Sequence, residues 1–351
     1  MPTKQKKTFW RNVSGPPFWV WQLFTKCKSF RTNPLIGSPL LNRLGLHVAR
    51  LCLAHAISRF RYWLLSPLVS AEQRRRYLEQ GYLILEDVLP AAEFTALKAE
   101  VHDFPGQARE YIEGDTRTHF VLLDDDALAK LPVCRALLRR KDYRQLHKFC
   151  GSTNKYAVFF LQKIVNNLGT GRADPQKNLH ADTFHPSMKS WLYLQDVGAE
   201  DGPLSFVPGS QRLTRRRIVW EYRRSLCARR LKDGHSENGS FRATREDLAF
   251  FGLPDPIALT VPANTLVIAN TFGFHCRGQA APGRTRREVW CYSRVNPFGP
   301  FPGLDWGPLN RLRYRVYQAY WRYRDCQAAA AGRTAYEHLT DVPFGRDDVS
   351  A

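Results

Sequence analysis

The segment Leu179-His180-Ala181-Asp182 sets an imidazole and a carboxylate one residue apart. Side chains at i and i+2 of an extended chain project to the same side, so the two can converge on one ion. His275, shortly after the apolar run Leu266 to Asn270, is the candidate third ligand, brought in by a neighbouring strand. Two histidines and one carboxylate form the facial set that holds Fe(II) in non-haem oxygenases and leaves positions open for a co-substrate and dioxygen. A structural zinc site is disfavoured, because such sites draw on cysteine-rich ligand sets. Arg286 follows His275 by eleven residues, on the approach to the run Val289 to Val295. A guanidinium there can pair bidentately with one end of a dicarboxylate co-substrate. Arg284 and Arg287 are neighbours that a small shift of register would promote.

Ligands from separate strands need a β-rich frame. Beyond residue 155 the apolar runs are short: Tyr156 to Val165, Trp191 to Val197, Leu204 to Val207, Ile257 to Val261, Leu266 to Ala269 and Val289 to Val295. Asp201-Gly202, Pro208-Gly209 and Pro262-Ala263-Asn264 supply turns between them. Many short strands with few helices predict a sandwich or jelly-roll barrel with flanking helices. Ahead of it, Glu72 to Gln80 reads as a helix stopped by Gly81, Tyr82 to Leu85 as a strand, Ala91 to Val101 as a helix opened by Pro90, and Leu128 to Phe149 as a helical region. A C-terminal helix is expected over Asn310 to Ala331 and an N-terminal one over Leu41 to Leu65. The expected organisation is an extension over residues 1–70, an oxygenase domain over 71–298 with an insert at 211–250, and a helical extension over 299–351.

The runs Tyr77 to Val88 (YLEQGYLILEDV) with Leu89-Pro90, His180 to Arg212 (HADTFHPSMKSWLYLQDVGAEDGPLSFVPGSQR) and Phe274 to Glu288 (FHCRGQAAPGRTRRE) resemble the phytanoyl-CoA dioxygenase family. The resemblance spans about residues 71–298, with the HxD, GPL-x-FVPGS and H-x10-R elements in order. It implies a double-stranded β-helix, jelly-roll and cupin-like, holding Fe(II) through His180, Asp182 and His275, with Arg286 on the distal carboxylate of 2-oxoglutarate. The implied reaction consumes O2 and 2-oxoglutarate, releases succinate and CO2, and hydroxylates an unactivated C–H bond. Asp182 argues against a halogenase, since those relatives carry a small residue in place of the carboxylate. Gln162 and Lys163 stand about where the family places polar contacts to 2-oxoglutarate. His185 and Lys189 are substrate candidates beyond the HxD, Trp191 reads as core, and Thr183 either orients a ligand or caps a turn.

The charge is localised. Of a net +20, residues 1–70 carry eleven Lys or Arg and no acid, and residues 211–232 carry nine against the single acid Glu221. The first stretch also holds ten aromatics, among them Phe9, Trp10, Trp19, Trp21, Phe60, Tyr62 and Trp63. That combination suits an anionic membrane interface, where aromatics sit at headgroup depth and cations meet phosphates; the alternative is a helix packed on the domain. The insert, with Arg216 and Arg217 as substrate candidates, favours an anionic lipid, glycolipid or acyl-thioester substrate. The eight cysteines show no CxxC pair and read as reduced thiols. No membrane-spanning run and no signal peptide are expected, which points to a cytoplasmic protein peripheral to the inner face of a membrane. Two other classes stay open: a nucleic-acid-directed oxygenase, disfavoured because no zinc finger or RNA-binding signature is present, and a scaffold that retains the fold without turnover.

Overall fold

The computed structural model describes residues 15–231 and 233–344. Phe9, Trp10 and Lys232, which contribute to the two basic stretches, lie outside the described residues. Helices α1 (Pro16–Leu23), α2 (Pro39–Arg43), α3 (Leu46–Leu64) and α4 (Ala71–Gln80) open the chain, followed by β1 (Tyr82–Leu85) and α5 (Ala91–His102). Next come β2 (Gln107–Glu113), β3 (Thr116–Leu122), α6 (Asp125–Ala129), α7 (Pro132–Arg139), α8 (Lys141–Cys150), β4 (Val158–Val165), β5 (Met188–Tyr193) and β6 (Leu204–Phe206). The chain ends with α9 (Arg215–Cys227), α10 (Arg245–Phe251), β7 (Ile257–Ala258), β8 (Leu266–Asn270), β9 (His275–Arg277), β10 (Thr285–Ser293), α11 (Gly307–Ala330) and β11 (His338–Pro343).

The strands form a double-stranded β-helix. One sheet runs β1-β8-β5-β10-β4-β3-β2-β11 and the opposing one β7-β6-β9, every pairing antiparallel. His180 extends the small sheet through an antiparallel bridge to His275, closed by reciprocal 2.9 Å backbone hydrogen bonds. The central strands β4, β5 and β8 of the large sheet are buried on both faces. Trp191, Tyr193 and Val267 turn inward to meet Phe206 and Leu204 of the small sheet. The alternate residues, Phe159, Leu161, Leu192, Val289 and Cys291, pack outward on Tyr143, Leu146 and Phe149 of α8. This explains why these strands read as continuous apolar runs rather than as alternating ones. Full burial of each such side chain contributes about 1.5–3 kcal/mol.

Local signals set the boundaries. Ser70 and Gln73 form a reciprocal capping box that starts α4, and Gly81 at φ +89° ends it. The helix expected over Leu41 to Leu65 is two helices, α2 and α3, because Gly45 at φ +94° breaks the path. Pro132 opens α7, dividing the helical region expected over Leu128 to Phe149. The β2–β3 hairpin, β9 and β11 are additions to the expected set.

The N-terminal extension is part of this body. Helix α3 buries His47, Leu51, Ala54, His55, Ser58, Arg61 and Tyr62, which recur every three or four residues. His47 Nε2 sits 2.9 Å from Glu221 Oε2 on α9, and Asn42 donates to the Ser225 carbonyl at 3.3 Å. The textural change near residue 70 is therefore no spatial separation: the two basic stretches pack on each other. The opposite face of α3 leaves Leu53, Phe60 and Trp63 exposed, close in kind to Trp21 and Phe24 at the end of α1.

Candidate metal and co-substrate site

His180, Asp182 and His275 meet beneath the rim of the barrel, each buried, with one ligand atom from each lying within 4.8 Å of the others. The path there is local. The Asp182 amide donates to the Thr271 carbonyl at 2.9 Å, tying the HxD segment to the end of β8. His180 Nδ1 donates to the Asn178 carbonyl at 2.7 Å and His275 Nδ1 to the Gly273 carbonyl at 2.9 Å. Those bonds fix the tautomer that leaves both Nε2 lone pairs free. Both Nε2 atoms face the same carboxylate oxygen, Asp182 Oδ1, at 3.7 and 3.8 Å. His275 Nε2 is a buried nitrogen with no hydrogen bond. An orphaned imidazole nitrogen converging with a second one on one carboxylate oxygen fits a divalent ion of the borderline class.

The charge state suits that use. Burial holds the His180 imidazolium well below its ordinary pKa, with His275 adding to the effect, and burial brings His275 down to about 4. Burial alone would raise the Asp182 carboxyl, but Lys189, Arg294 and the two histidines outweigh it and hold it well below its usual range. At neutral pH the site presents two neutral imidazoles and one carboxylate, the protonation states that metal ligands require. Lys189 Nζ lies 2.9 Å and an Arg294 terminal nitrogen 3.1 Å from Asp182 Oδ2. The second carboxylate oxygen is thereby held outward while the first faces the histidines. Lys28, from the loop between α1 and α2, donates to the Asp182 backbone carbonyl.

Arg286 lies deeper in the barrel, buried on β10 opposite Ile164 of β4. Its Nε is 2.7 Å from Glu288 Oε2, another nitrogen donates to the Gly202 carbonyl, and the guanidinium lies over the Tyr193 ring at 5.4 Å. Gln162 is paired with Glu288 and Phe120, so it shares the inward face with Arg286. Lys163 is paired with Arg287 and His119 and faces the other way. Strand alternation therefore removes Lys163 from the interior and corrects its assignment to a co-substrate contact. Its neighbours Arg284 and Arg287 differ from Arg286 in the same respect: Arg287 is on the outward face and Arg284 precedes the strand, 3.3 Å from Asp201.

The substrate candidates separate. Lys189 is at the site. His185 is buried, donates to the Pro186 carbonyl at 2.9 Å and is brought down to about 3 by burial, which makes it a neutral core histidine. Arg217 is 2% exposed, lies 3.0 Å from Glu221 and stacks over Phe272 and Phe274 at 4.2 and 4.0 Å. It is a core residue and not a substrate contact; i,i+4 spacing to the one acid of the insert was the signal for this. Arg216 is exposed on α9. Trp191 is core, and the Thr183 hydroxyl is buried without a hydrogen bond. Lys28 and Arg294 escaped the sequence reading, because neither lies near the motif and only the fold brings them to Asp182.

The barrel and the His-Asp-His cluster are together what a non-haem iron, 2-oxoglutarate-dependent dioxygenase requires. Residues 77–244 match the family described as phytanoyl-CoA dioxygenase (PhyH). The match includes His180 and Asp182, while His275 and Arg286 lie beyond it and are joined to it by the fold. No curated protein matches the sequence. Among solved structures, the non-haem alpha-ketoglutarate-dependent carbocyclase SnoK from nogalamycin biosynthesis is 22% identical, covering 64% of this chain and 83% of its own, at a TM-score of 0.40. HygX from Streptomyces hygroscopicus, with nickel, 2-oxoglutarate and hygromycin B bound, is 15% identical over 64% and 86% at 0.40. EctD from S. alaskensis, with 2-oxoglutarate and 5-hydroxyectoine bound, is 17% identical over 66% and 80% at 0.41.

Proposed function

We propose that the enzyme hydroxylates an unactivated C–H bond of a small anionic substrate, using Fe(II) held by His180 Nε2, His275 Nε2 and Asp182 Oδ1. The carrying observation is the convergence of both free Nε2 atoms on that one oxygen. Bound iron, with 2-oxoglutarate and O2, supplies the oxidising power that turns C–H into C–OH as the co-substrate becomes succinate and CO2. The chain's own part is positional. The Asn178 and Gly273 carbonyls keep the imidazoles presented by Nε2. Lys189 and Arg294 keep Asp182 ionised and oriented, and Arg286 offers the inward cation for the distal carboxylate. Burial of the triad keeps bulk water from the reacting centre.

Fe(II) protein reconstituted without oxygen, then exposed to O2 with 2-oxoglutarate and a cell extract, should release succinate. His180→Ala and Asp182→Ala should each lose metal binding and succinate release together. A folded, iron-loaded protein that neither binds 2-oxoglutarate nor forms succinate would favour the scaffold reading.

A position at a membrane surface is supported by a separate observation. Trp21, Phe24, Leu44, Leu53 and Trp63 are exposed on an extension rich in Lys and Arg. No helix among the described residues is long and apolar enough to cross a membrane, so the contact would be interfacial. Sedimentation with anionic vesicles at low salt, lost on Trp21→Ser with Trp63→Ser, tests it; recovery in the supernatant at every lipid concentration would sink it.

A further inference from the structure

Three basic side chains gather at Asp182 of the metal site, two cations on its carboxylate and Lys28, which burial brings down to about 7, on its backbone. Lys189 and Arg294 both take Asp182 Oδ2, and Lys28 takes the backbone carbonyl of the same residue. They come from three separate places in the chain: β5, the residue after β10, and the loop between α1 and α2. Among the described residues none of the three has an acidic partner other than Asp182. Once Asp182 Oδ1 holds a dication, its single negative charge is shared between the metal, Lys189 and Arg294, and the pocket carries a positive excess that Lys28 adds to when protonated. A co-substrate whose two carboxylates go to the metal and to Arg286 brings no further anion. Like charges held close in a site of low dielectric are costly unless an anion joins them.

We infer that Lys28, Lys189 and Arg294 form a receptor for an oxyanion, a carboxylate or phosphate, carried by the primary substrate next to the iron triad. The inference rests on the oxygenase reading and names the substrate chemistry of that same site. Access comes from the side of Arg294, whose side chain is 39% exposed, and of Lys189 at 18%. Lys28 is held in place by the insert. The Arg31 amide donates to the Glu237 carbonyl at 3.0 Å, and their side chains pair at 2.7 Å. Gly239, at φ +80°, lets the Lys28 backbone approach so closely that a Cβ would stand 2.2 Å from its carbonyl oxygen. The two additions to the barrel thus cooperate: the extension carries the cation and the insert seats it. Lys28 and Arg294 both lie outside the region matched by the family.

The full chain loaded with Ni(II) and 2-oxoglutarate, which does not turn over, would be titrated calorimetrically with inorganic phosphate, hexanoate and hexanol. At least one anion should bind tenfold or more tighter than hexanol, and tighter with Ni(II) than without, because the metal draws on Asp182. Phosphate ahead of hexanoate identifies a phosphate substrate, and the reverse a carboxylate. Lys28→Met and Arg294→Gln should each weaken the anion at least tenfold, and Arg139→Gln, on the exposed end of α7, should not. Equal binding of hexanol and both anions overturns the inference, as does anion binding unchanged in both variants. Ni(II) binding and melting of Lys28→Met, matching wild type, separate this effect from misfolding. If wild type binds neither Ni(II) nor 2-oxoglutarate, the oxygenase reading fails instead, and anion binding by the metal-free chain still reports on the cluster.

Discussion

Two groups of cations are drawn into this molecule, and they are partnered in opposite ways. On α3 and α9 the buried arginines have their own acceptors. Arg61 donates to Ser152, Ser58 and the Asn296 and Gly299 carbonyls, Arg50 to the carbonyls of Leu23, Thr25 and Cys27 at and after the end of α1, and Arg217 to Glu221. Around Asp182, by contrast, Lys28, Lys189 and Arg294 share a single residue. The first group consists of satisfied structural ions, and the second is a set that an added anion would complete. Pairing is what separates the two groups.

The structural group can be broken most severely with acid. His55, packed by Arg217 and Phe272, is brought down to about 3 by burial first and Arg217 second; burial also brings His147 to about 4 and His185 to about 3. Their unfolded values are near 6.5. Below that pH the unfolded chain binds protons that the folded chain refuses, so stability is full above about 6.5 and falls as pH drops toward 4. Each unit of depression is worth about 1.4 kcal/mol, so three such groups should bring the urea midpoint down steeply across that window. A midpoint that is flat from pH 7 to 5 would mean these rings are not held neutral. Next in size, Arg217→Met should destabilise by about 3 kcal/mol in urea melts, the lower end for breaking a buried pair, because His47 still holds Glu221.

The sequence carried the barrel and the triad further than it carried the charges around them. The HxD spacing and the apolar runs ending in turns are local properties, and the bridge of His180 to His275 with the Asp182 amide on Thr271 gathers the three into one cluster. Lys163 was misassigned because a run buried on both faces, Val158 to Val165, has no alternation from which to read inward and outward. Arg217 was misread for a related reason: a basic run looks solvated until the helix places Glu221 four residues on, beneath Phe272 and Phe274. Lys28 is one of eleven cations in the N-terminal stretch and Arg294 a lone residue after β10; both are over a hundred positions from Asp182, and only tertiary closure gives them a role.

Within the second group, Lys189→Met should weaken metal binding by about 10- to 100-fold, the usual range for a residue that orients a ligand without touching the metal. Competition between Ni(II) and a chelating dye would measure it. Lys189→Arg should recover most of the loss if the role is to hold Asp182 Oδ2 in place. An unchanged affinity in Lys189→Met would assign orientation of the carboxylate to Arg294 alone.

The smallest effect concerns Arg286, whose membership of either group is decided by Glu288. As it stands, Arg286 is paired at 2.7 Å with a fully buried glutamate, one of whose oxygens has no hydrogen bond. A 2-oxoglutarate carboxylate arriving at that guanidinium meets a second carboxylate already there. Two charges about 5 Å apart at an effective dielectric near 20 repel by a few kcal/mol at most, and relaxation leaves about 1 kcal/mol, roughly fivefold in affinity. Burial raises the Glu288 carboxyl against the pull of Arg286. Competition therefore grows as pH rises through its pKa and the side chain ionises. Glu288→Gln keeps the shape and removes the charge: it should bind 2-oxoglutarate about fivefold tighter at high pH and lose the pH dependence seen in wild type. Weaker binding in Glu288→Gln would reverse the assignment, making Glu288 the residue that aims Arg286 rather than the one that competes for it.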